Sequence, residues 1–276
     1  MVVAPESLGL VANLRLKNAL NVARRVYEHV QRMDVELIVE ETLSHKLGAD
    51  GVPIDDIKVD VIVCVGGDGT ILRTAQHAQG KILGINLGEI GFLTEVQPSK
   101  AVNAINRLMK GDYVVDRRMK LKVYVNEERL YDCLNEAVVH TASISKMRVF
   151  DVHVDEGHMG PVRADAIIVS TPTGSTCYAL SAGGPILDPK ANALLVLPLA
   201  PFKLTSRPLV VSARSTIRIV ISDPRPCLLV LDGQYERRLK GDEEIVMSKS
   251  EKYAEFVRFG KFSIYDRIKS KLSRML

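Results

Sequence analysis

The chain has no tryptophan, and phenylalanine and tyrosine together with it make up only 5% of its 276 residues. Proteins that hold single-stranded nucleic acid depend on aromatic stacking platforms, so this scarcity argues against that class. The net charge of +4 is small, and Lys and Arg alternate with Glu and Asp along most of the chain. A phosphate-rich small ligand accounts for such an excess as well as a polyanion does. There is no CxxC pair: Cys64, Cys133, Cys177 and Cys227 are scattered, which excludes the usual zinc spacings and a dense disulfide framework. No apolar run approaches the ~20 residues that cross a bilayer, so no membrane segment is expected. The amino end lacks a basic lead-in followed by an apolar core, so a secretory signal is not expected and a cytoplasmic location is. Two phosphate-binding signatures are also missing. No GxxxxGK[ST] occurs, and no GxGxxG follows a strand. Ser175 does not stand in a GxSxG elbow, which removes a serine hydrolase.

What is present falls into two styles of patterning. In the first 112 residues, apolar runs at Leu8 to Asn13, Val35 to Val39, Val59 to Val65 and Ile82 to Asn86 read as strands. Between them, Leu16, Ala19, Leu20, Ala23, Val26, Tyr27 and Val30 recur at helical spacing, as do Ala101, Val102, Ile105, Leu108 and Met109 behind a capping Ser99. Strands alternating with helices predict a parallel sheet covered on both faces. After Asp112 the period becomes two, with Met119, Leu121, Val123 and Val125 alternating with Lys120, Lys122 and Tyr124. Short strands follow at 137–141, 148–154, 166–170, 194–197, 216–221, 227–231 and 244–247, which predicts packed sheets. Ser263 and Asp266 stand in capping-box positions, with Ile264, Ile268 and Leu272 following Ser263 at helical spacing, so an amphipathic helix is expected to close the chain. Its basic residues read as solvent-facing, with the apolar face docked on the first domain.

The sharpest local feature is Gly66-Gly67-Asp68-Gly69-Thr70, placed directly after a buried strand and before a helix-compatible Ile71 to Ala78. Glycines at such a turn let backbone amides close on a phosphate, and the helix N-terminus favours negative charge. A carboxylate is a poor phosphate ligand, so Asp68 points to chemistry: holding Mg²⁺ or accepting a proton from an attacking hydroxyl. The plain alternative is a tight turn, for which Asp-Gly is a common pair. Thr171 to Tyr178 (TPTGSTCY) reads either as a ligand loop or as a strand end with hydroxyl-rich helix capping. Asn135-Glu136 on its own is an ordinary polar pair before an apolar run. His153 and His158 lie near Asp151, Asp155 and Glu156, but the spacing fits neither HExxH nor a tight zinc pair, so they read as solvent-facing residues on a strand and its turn.

The GGDGT pentapeptide resembles a superfamily that includes NAD kinases, diacylglycerol and sphingosine kinases and, more distantly, 6-phosphofructokinases. Three further segments resemble NAD kinases in particular. They are Asn135-Glu136 (that family's NE motif), Thr171 to Tyr178 (its TPTGSTAY motif, departing at Cys177), and Gly84-Ile-Asn-Leu-Gly88 with Gly91-Phe92-Leu93-Thr94-Glu95. The resemblance runs from about the third strand to Gln234. It implies a Rossmann-like α/β N-terminal domain over residues 1–112, which carries the phosphate loop. It also implies a mostly β, sandwich-like NAD-binding domain over 113–250, and a C-terminal strand and helix over 251–276 returning to the first domain.

It further implies transfer of a phosphoryl group from ATP or polyphosphate to the 2′-hydroxyl of NAD's adenosine ribose, with Mg²⁺ or another divalent metal. The metal ligands are not legible. Asp68 is implied as the catalytic base, with Gly66, Gly67, Gly69, Thr70, Arg73 and Phe92 around it. Asn135 and Glu136 would hold the adenosine end, a carboxylate being suited to ribose hydroxyls. Lys146, Arg163 and Asp165 are carried over as ligand contacts, Asp165 toward the nicotinamide side. Thr173, Thr176, Cys177, Tyr178, Ala179, Leu180 and Ser181 would wrap the dinucleotide, completed by Ala200 and Gln234. No nucleic acid or membrane partner is implied, and a homo-oligomer, dimer or tetramer, is.

Overall fold

The structure is a computed structural model that describes residues 3–88, 91–143, 146–221 and 225–260, together with 265 and 268. In chain order its elements are β1 (Ser7–Ala12), α1 (Ala19–Val30), β2 (Glu36–Val39), α2 (Glu41–Leu47), β3 (Lys58–Gly66), α3 (Asp68–His77), β4 (Gln79–Asn86), α4 (Ala101–Met109), β5 (Val114–Val125), β6 (Glu128–Arg129), β7 (Glu136–Thr141), β8 (Arg148–Val154), β9 (Gly157–Ala164), β10 (Ala166–Ser170), α5 (Tyr178–Ser181), β11 (Ala193–Leu199), β12 (Leu209–Ser212), β13 (Ile217–Ile221), β14 (Cys227–Leu231), β15 (Tyr235–Leu239) and β16 (Glu244–Arg258). They form two compact units, Met1–Arg117 with Ala254–Leu276, and Arg118–Tyr253. The chain passes from one to the other within β5 and again within β16.

In the first unit, β2, β1, β3 and β4 lie side by side and parallel, and Phe256 of β16 pairs in parallel with Ile82 at the edge. Alternation along the buried strands sends side chains to both faces. Leu8, Leu10, Val61, Val63 and Val65 pack with Val22, Ala23 and Val26 of α1 and Ile105 and Leu108 of α4. Val11 and Ile62 pack on the other face with Ile54 and Ile57. This is the Rossmann-like layering expected.

The second unit is two antiparallel layers. One is ordered β12-β11-β10-β7-β14-β15, and the other runs β16-β13-β8-β9 with β5 and β6 attached through β16. Residues from both enclose one core, including Leu121, Ala137, Val139, Phe150, Val152, Ile167, Val169, Ile219 and Leu229.

Several boundaries differ from expectation for local reasons. The first helix begins at Ala19 because Asn18 adopts a left-handed conformation. Ser99 does not cap α4: it lies in a single 3-10 turn, Pro98–Lys100, and the helix starts after Lys100 without a side-chain cap. Four elements carry too little apolar periodicity to announce themselves. In α2 only Leu43 and Ser44 are buried. β9 is a layer edge containing Gly157, Gly160 and Pro161, a proline being tolerated at an edge. β12 is four residues of a mostly exposed edge, and β15 reads YERRL. β16 runs on to Arg258, since Ser248 to Lys252 interrupt the apolar pattern without breaking the strand. Most of the expected closing helix lies outside the described residues. Among the described residues no helix is long and apolar enough to cross a membrane.

One buried cation ties the end of β16 into the first unit. Arg258, 1% exposed, donates to the Leu93 carbonyl (2.8 Å), to Glu95 (3.3 Å) and to Asp116 (3.3 Å), while the Phe259 amide donates to Glu95 (2.8 Å). Removing one member of such a set strands the others, typically at a cost of about 3 to 5 kcal/mol. Arg258→Met is therefore expected to lower unfolding free energy by about 3 kcal/mol in urea titrations. A change below 1 kcal/mol would show that the network is dispensable.

Candidate active site

In the first unit, β3 ends at Gly66, Gly67 is extended, and α3 begins at Asp68. Thr70 and Ile71 donate to the Gly67 carbonyl, which closes the turn. The Thr70 hydroxyl folds back so tightly that a Cβ at Gly66 would meet it at 2.2 Å. Asp68 sends its carboxylate to the segment after β4, where Oδ2 accepts from Phe92 (2.7 Å) and Oδ1 from Leu93 (3.1 Å) and Thr94 (3.3 Å). A Cβ on Gly91 would sit 2.0 Å from Asp68 Oδ1, so the glycine lets the carboxylate reach those amides. The GGDGT and GFLT segments are thus one object. Arg73 stands in the same helix and pairs with Glu40, a carboxylate that is otherwise buried.

In the second unit, the beginning of β7 and the ends of β10 and β14 come together, because Glu136 pairs with Ser170 and Ala137 with Leu231. The residue after β14 is Asp232, 5% exposed and at positive φ. Its carboxylate accepts from the amides of Leu134 (2.6 Å), Asn135 (2.7 Å) and Glu136 (3.0 Å). From the other side, Thr171 donates through its amide to the Asn135 carbonyl (2.8 Å) and through its hydroxyl to that of Leu134 (2.6 Å). A Cβ on Gly174 would lie 2.2 Å from the Asn135 carbonyl oxygen, so only glycine lets the TPTGST turn close over this strand start. Ser175, wholly buried, accepts from the Leu187 amide (2.9 Å), and α5 follows with Ala179 packed under Val138 and Ile168.

Two polar atoms at this junction are left over. Asn135 Oδ1 and Glu136 Oε2 are buried with no hydrogen-bond partner, although Asn135 Nδ2 reaches Cys177 Sγ (3.5 Å). Buried polar groups are normally paired, and these two oxygens depart from that rule. Burial, reinforced by the charge of Asp232, pushes the Glu136 carboxyl up to about 8. Burial also raises Asp232, to about 6, against the pull of its three amides and of Lys120. The two carboxyls are coupled, and burial disfavours a second negative charge between them. Lys120 is itself lowered by burial, opposed by Asp132 and Asp232.

The expected site residues of the second unit fall into two groups. Asn135, Glu136, Thr173, Thr176, Cys177, Tyr178, Ala179, Leu180, Ser181 and Gln234 surround the junction or follow directly from its turns. Lys146, Asp165 and Ala200 stand at the other end of the same sheet, and Arg163 stands near them at the end of β9 in the other layer. There Thr141 donates to the Asp165 carbonyl, Asp165 to that of Leu199, and the Arg163 guanidinium lies 4.7 Å over the Phe202 ring. Six strand positions separate Asp165 from Thr171, about 20 Å at ~3.4 Å each. Asp232 was not among the expected residues. Its only sequence signal is an Asp-Gly pair directly after a buried strand.

Because folded Glu136 keeps its proton to about pH 8 while the unfolded carboxyl ionises near 4.5, its contribution to stability is full below pH 4.5 and is lost as pH rises through 8. Glu136→Gln removes that loss. Within the window the wild type should fall by up to about 1.4 kcal/mol per pH unit relative to the variant. Tm measured for both from pH 5 to 9 checks this, and parallel curves would mean that Glu136 is ionised in the fold.

The chain matches the model of the ATP-NAD kinase N-terminal domain over residues 8–113 and that of the ATP-NAD kinase C-terminal domain over 134–259. Among curated relatives, an NAD kinase of Thermoplasma volcanium is 41% identical over 93% of this chain and 94% of its own. One of Thermococcus gammatolerans is 43% identical over 96% and 98%. Of solved structures, an NAD kinase from Archaeoglobus fulgidus in complex with ATP superposes with a TM-score of 0.74 at 29% identity, covering 97% of this chain and 98% of that one. Yeast NADH kinase complexed with NADH shares the fold at a TM-score of 0.89 and 20% identity, covering 98% and 88%. With both halves of the glycine-loop and NE/TPTGST architecture matched in order, the chain belongs to the ATP-NAD kinase family.

Proposed function

We propose that this protein transfers a phosphoryl group to the 2′-hydroxyl of the adenosine ribose of NAD, giving NADP, with ATP as a donor. The observation that carries this is the pair of buried, unpartnered oxygens on Asn135 and Glu136, held by the Asp232 carboxylate beside the TPTGST turn. A vicinal diol offers two donors and two acceptors in the compact arrangement such a pair can take up. The ATP found with the Archaeoglobus relative supports the donor, and the four free cysteines suit a reducing cytoplasm.

Asp68 is the proposed proton acceptor. Three amides occupy three of its roughly four lone-pair directions, which leaves one for the attacking hydroxyl. Phosphoryl transfer through a loose transition state needs the proton removed late, so a firmly held carboxylate is suited to the role. Amides at the start of α3 would receive donor phosphate oxygens. No metal cage of three or more acidic, His or Cys side chains surrounds the loop among the described residues. A divalent cation such as Mg²⁺ would be held chiefly on the donor phosphates and water, as that ion commonly is, and would neutralise phosphate charge.

Asp68→Asn is expected to reduce turnover by roughly 10²-fold or more. The amide also turns an NH₂ group toward backbone donors, so the effect on loop anchoring needs a control. Arg258→Met loosens the same segment through Leu93 and leaves the carboxylate in place. If Arg258→Met, assayed where it is folded, loses as much turnover as Asp68→Asn, Asp68 is an anchor and not a base.

The protein is also proposed to act as a homo-oligomer. Asp165 lies about 20 Å along β10 from Thr171, which abuts Asn135, and Lys146, Arg163 and Ala200 stand near Asp165, which supports their serving the dinucleotide bound by a neighbouring copy. Mixing Asp68→Asn with Asp165→Ala subunits, each impaired alone, should then restore about a quarter to a half of wild-type activity as mixed oligomers form. Strictly additive activity on mixing, or a monomer by light scattering, would reject this.

A further inference from the structure

On the outer face of the β8–β9 hairpin, three side chains that the kinase reaction does not use converge. Asp151 and His153 are two apart on β8 and so share a face, opposite to Phe150 and Val152 in the core. Strand pairing sets His158 of β9 directly across from His153, at a point where the register shifts by a bulge. The imidazoles stack with centroids 4.5 Å apart and planes inclined by 17°. Both direct Nε2 at the same carboxylate: His153 lies 3.4 Å from Asp151 Oδ2, and His158 is hydrogen-bonded to Oδ1. The three donor atoms all lie within 4.8 Å of one another, the one such group of three among the described residues. His153 is 19% exposed and His158 50%, so the site is framed by the sheet and open to solvent on one side.

We propose that Asp151, His153 and His158 bind one divalent transition-metal ion of the zinc or nickel class, which staples β8 to the edge strand β9. The donor chemistry selects the class. Two imidazoles and one carboxylate with open positions suit borderline metals, whereas Mg²⁺ and Ca²⁺ prefer all-oxygen shells. The geometry is within reach. Ligands at about 2.0 to 2.2 Å from a tetrahedral ion stand roughly 3.4 Å apart, so side-chain rotations of about an ångström close the present arrangement onto a cation. The nearby field permits it as well. Arg218 of β13 is the cation paired next to His153, and its guanidinium is engaged by Glu244 at 3.4 Å. Asp155 and Glu156 in the hairpin turn add negative charge close by.

The test uses untagged full-length protein stripped with a chelator and titrated calorimetrically with Zn²⁺ and with Ni²⁺ in millimolar Mg²⁺. One ion per chain should bind despite the Mg²⁺. His153→Ala and His158→Ala should each weaken it about 100-fold, at or beyond the 10- to 100-fold that loss of an outer-shell partner costs. The variants should still form NADP in Mg²⁺ and keep the wild-type Tm in chelator, while losing the rise in Tm that Zn²⁺ gives the wild type. Absence of a stoichiometric site, or equal zinc affinity in the wild type and both histidine variants, overturns the proposal.

Discussion

A carboxylate that collects three consecutive backbone amides organises each unit of this protein. In the second unit it is Asp232, which binds the amides of Leu134, Asn135 and Glu136. In the first it is Asp68, which binds those of Phe92, Leu93 and Thr94. Each charged hydrogen bond contributes about 1.5 to 3 kcal/mol, and at Asp232 the three together oppose, without cancelling, the desolvation that raises its carboxyl. The geometry matters more than the sum. Three successive amides cannot point at one acceptor in a regular strand, so each carboxylate imposes an irregular stretch just where side chains must be aimed. Asn135 and Glu136 are positioned by a residue nearly a hundred positions away, and the GFLT segment by the aspartate of the glycine turn.

That arrangement leaves free energy unspent where β7, β10 and β14 meet. Two orphaned oxygens there each cost about 1 to 3 kcal/mol in the free protein, and the Glu136 carboxyl answers by keeping its proton to about pH 8. A protonated carboxyl can donate as well as accept. The junction therefore offers both hydrogen-bonding senses to the ribose diol proposed to bind there. The site is stiff because the tight approach of Gly174 to the Asn135 carbonyl leaves no room for the turn to shift inward.

The parts of this design that were legible in the sequence are the ones with a period or a composition. Buried strands such as Val59 to Val65 and the two-residue alternation after Met119 announced a strand in each unit. The glycine turn and the TPTGST run marked the two tightly closed turns, at Asp68 and over the start of β7. Asp232 was invisible because its role is defined by amides of residues 134–136, which only strand order β10-β7-β14 brings to it. Ser99 looked like a cap but lies in a 3-10 turn ahead of the helix. Edge strands β9, β12 and β15 bury too little to show a pattern.

The histidine cluster illustrates the same limit from the opposite side. Metal-site signatures read along a chain assume a helix, where ligands recur at three or four residues, or a tight knuckle. On a hairpin the useful intervals are two along one strand and whatever the turn length sets across to the next. Asp151, His153 and His158 satisfy the hairpin rule and no helical one, so spacing alone dismissed them. Gly157 begins β9 immediately before His158, and the bulge after Val152 brings the two rings into register. The same logic separates Asp165 from Thr171. Neighbours in a motif list are divided by the length of a strand, and residues seven apart in a turn become ligands of one point in space.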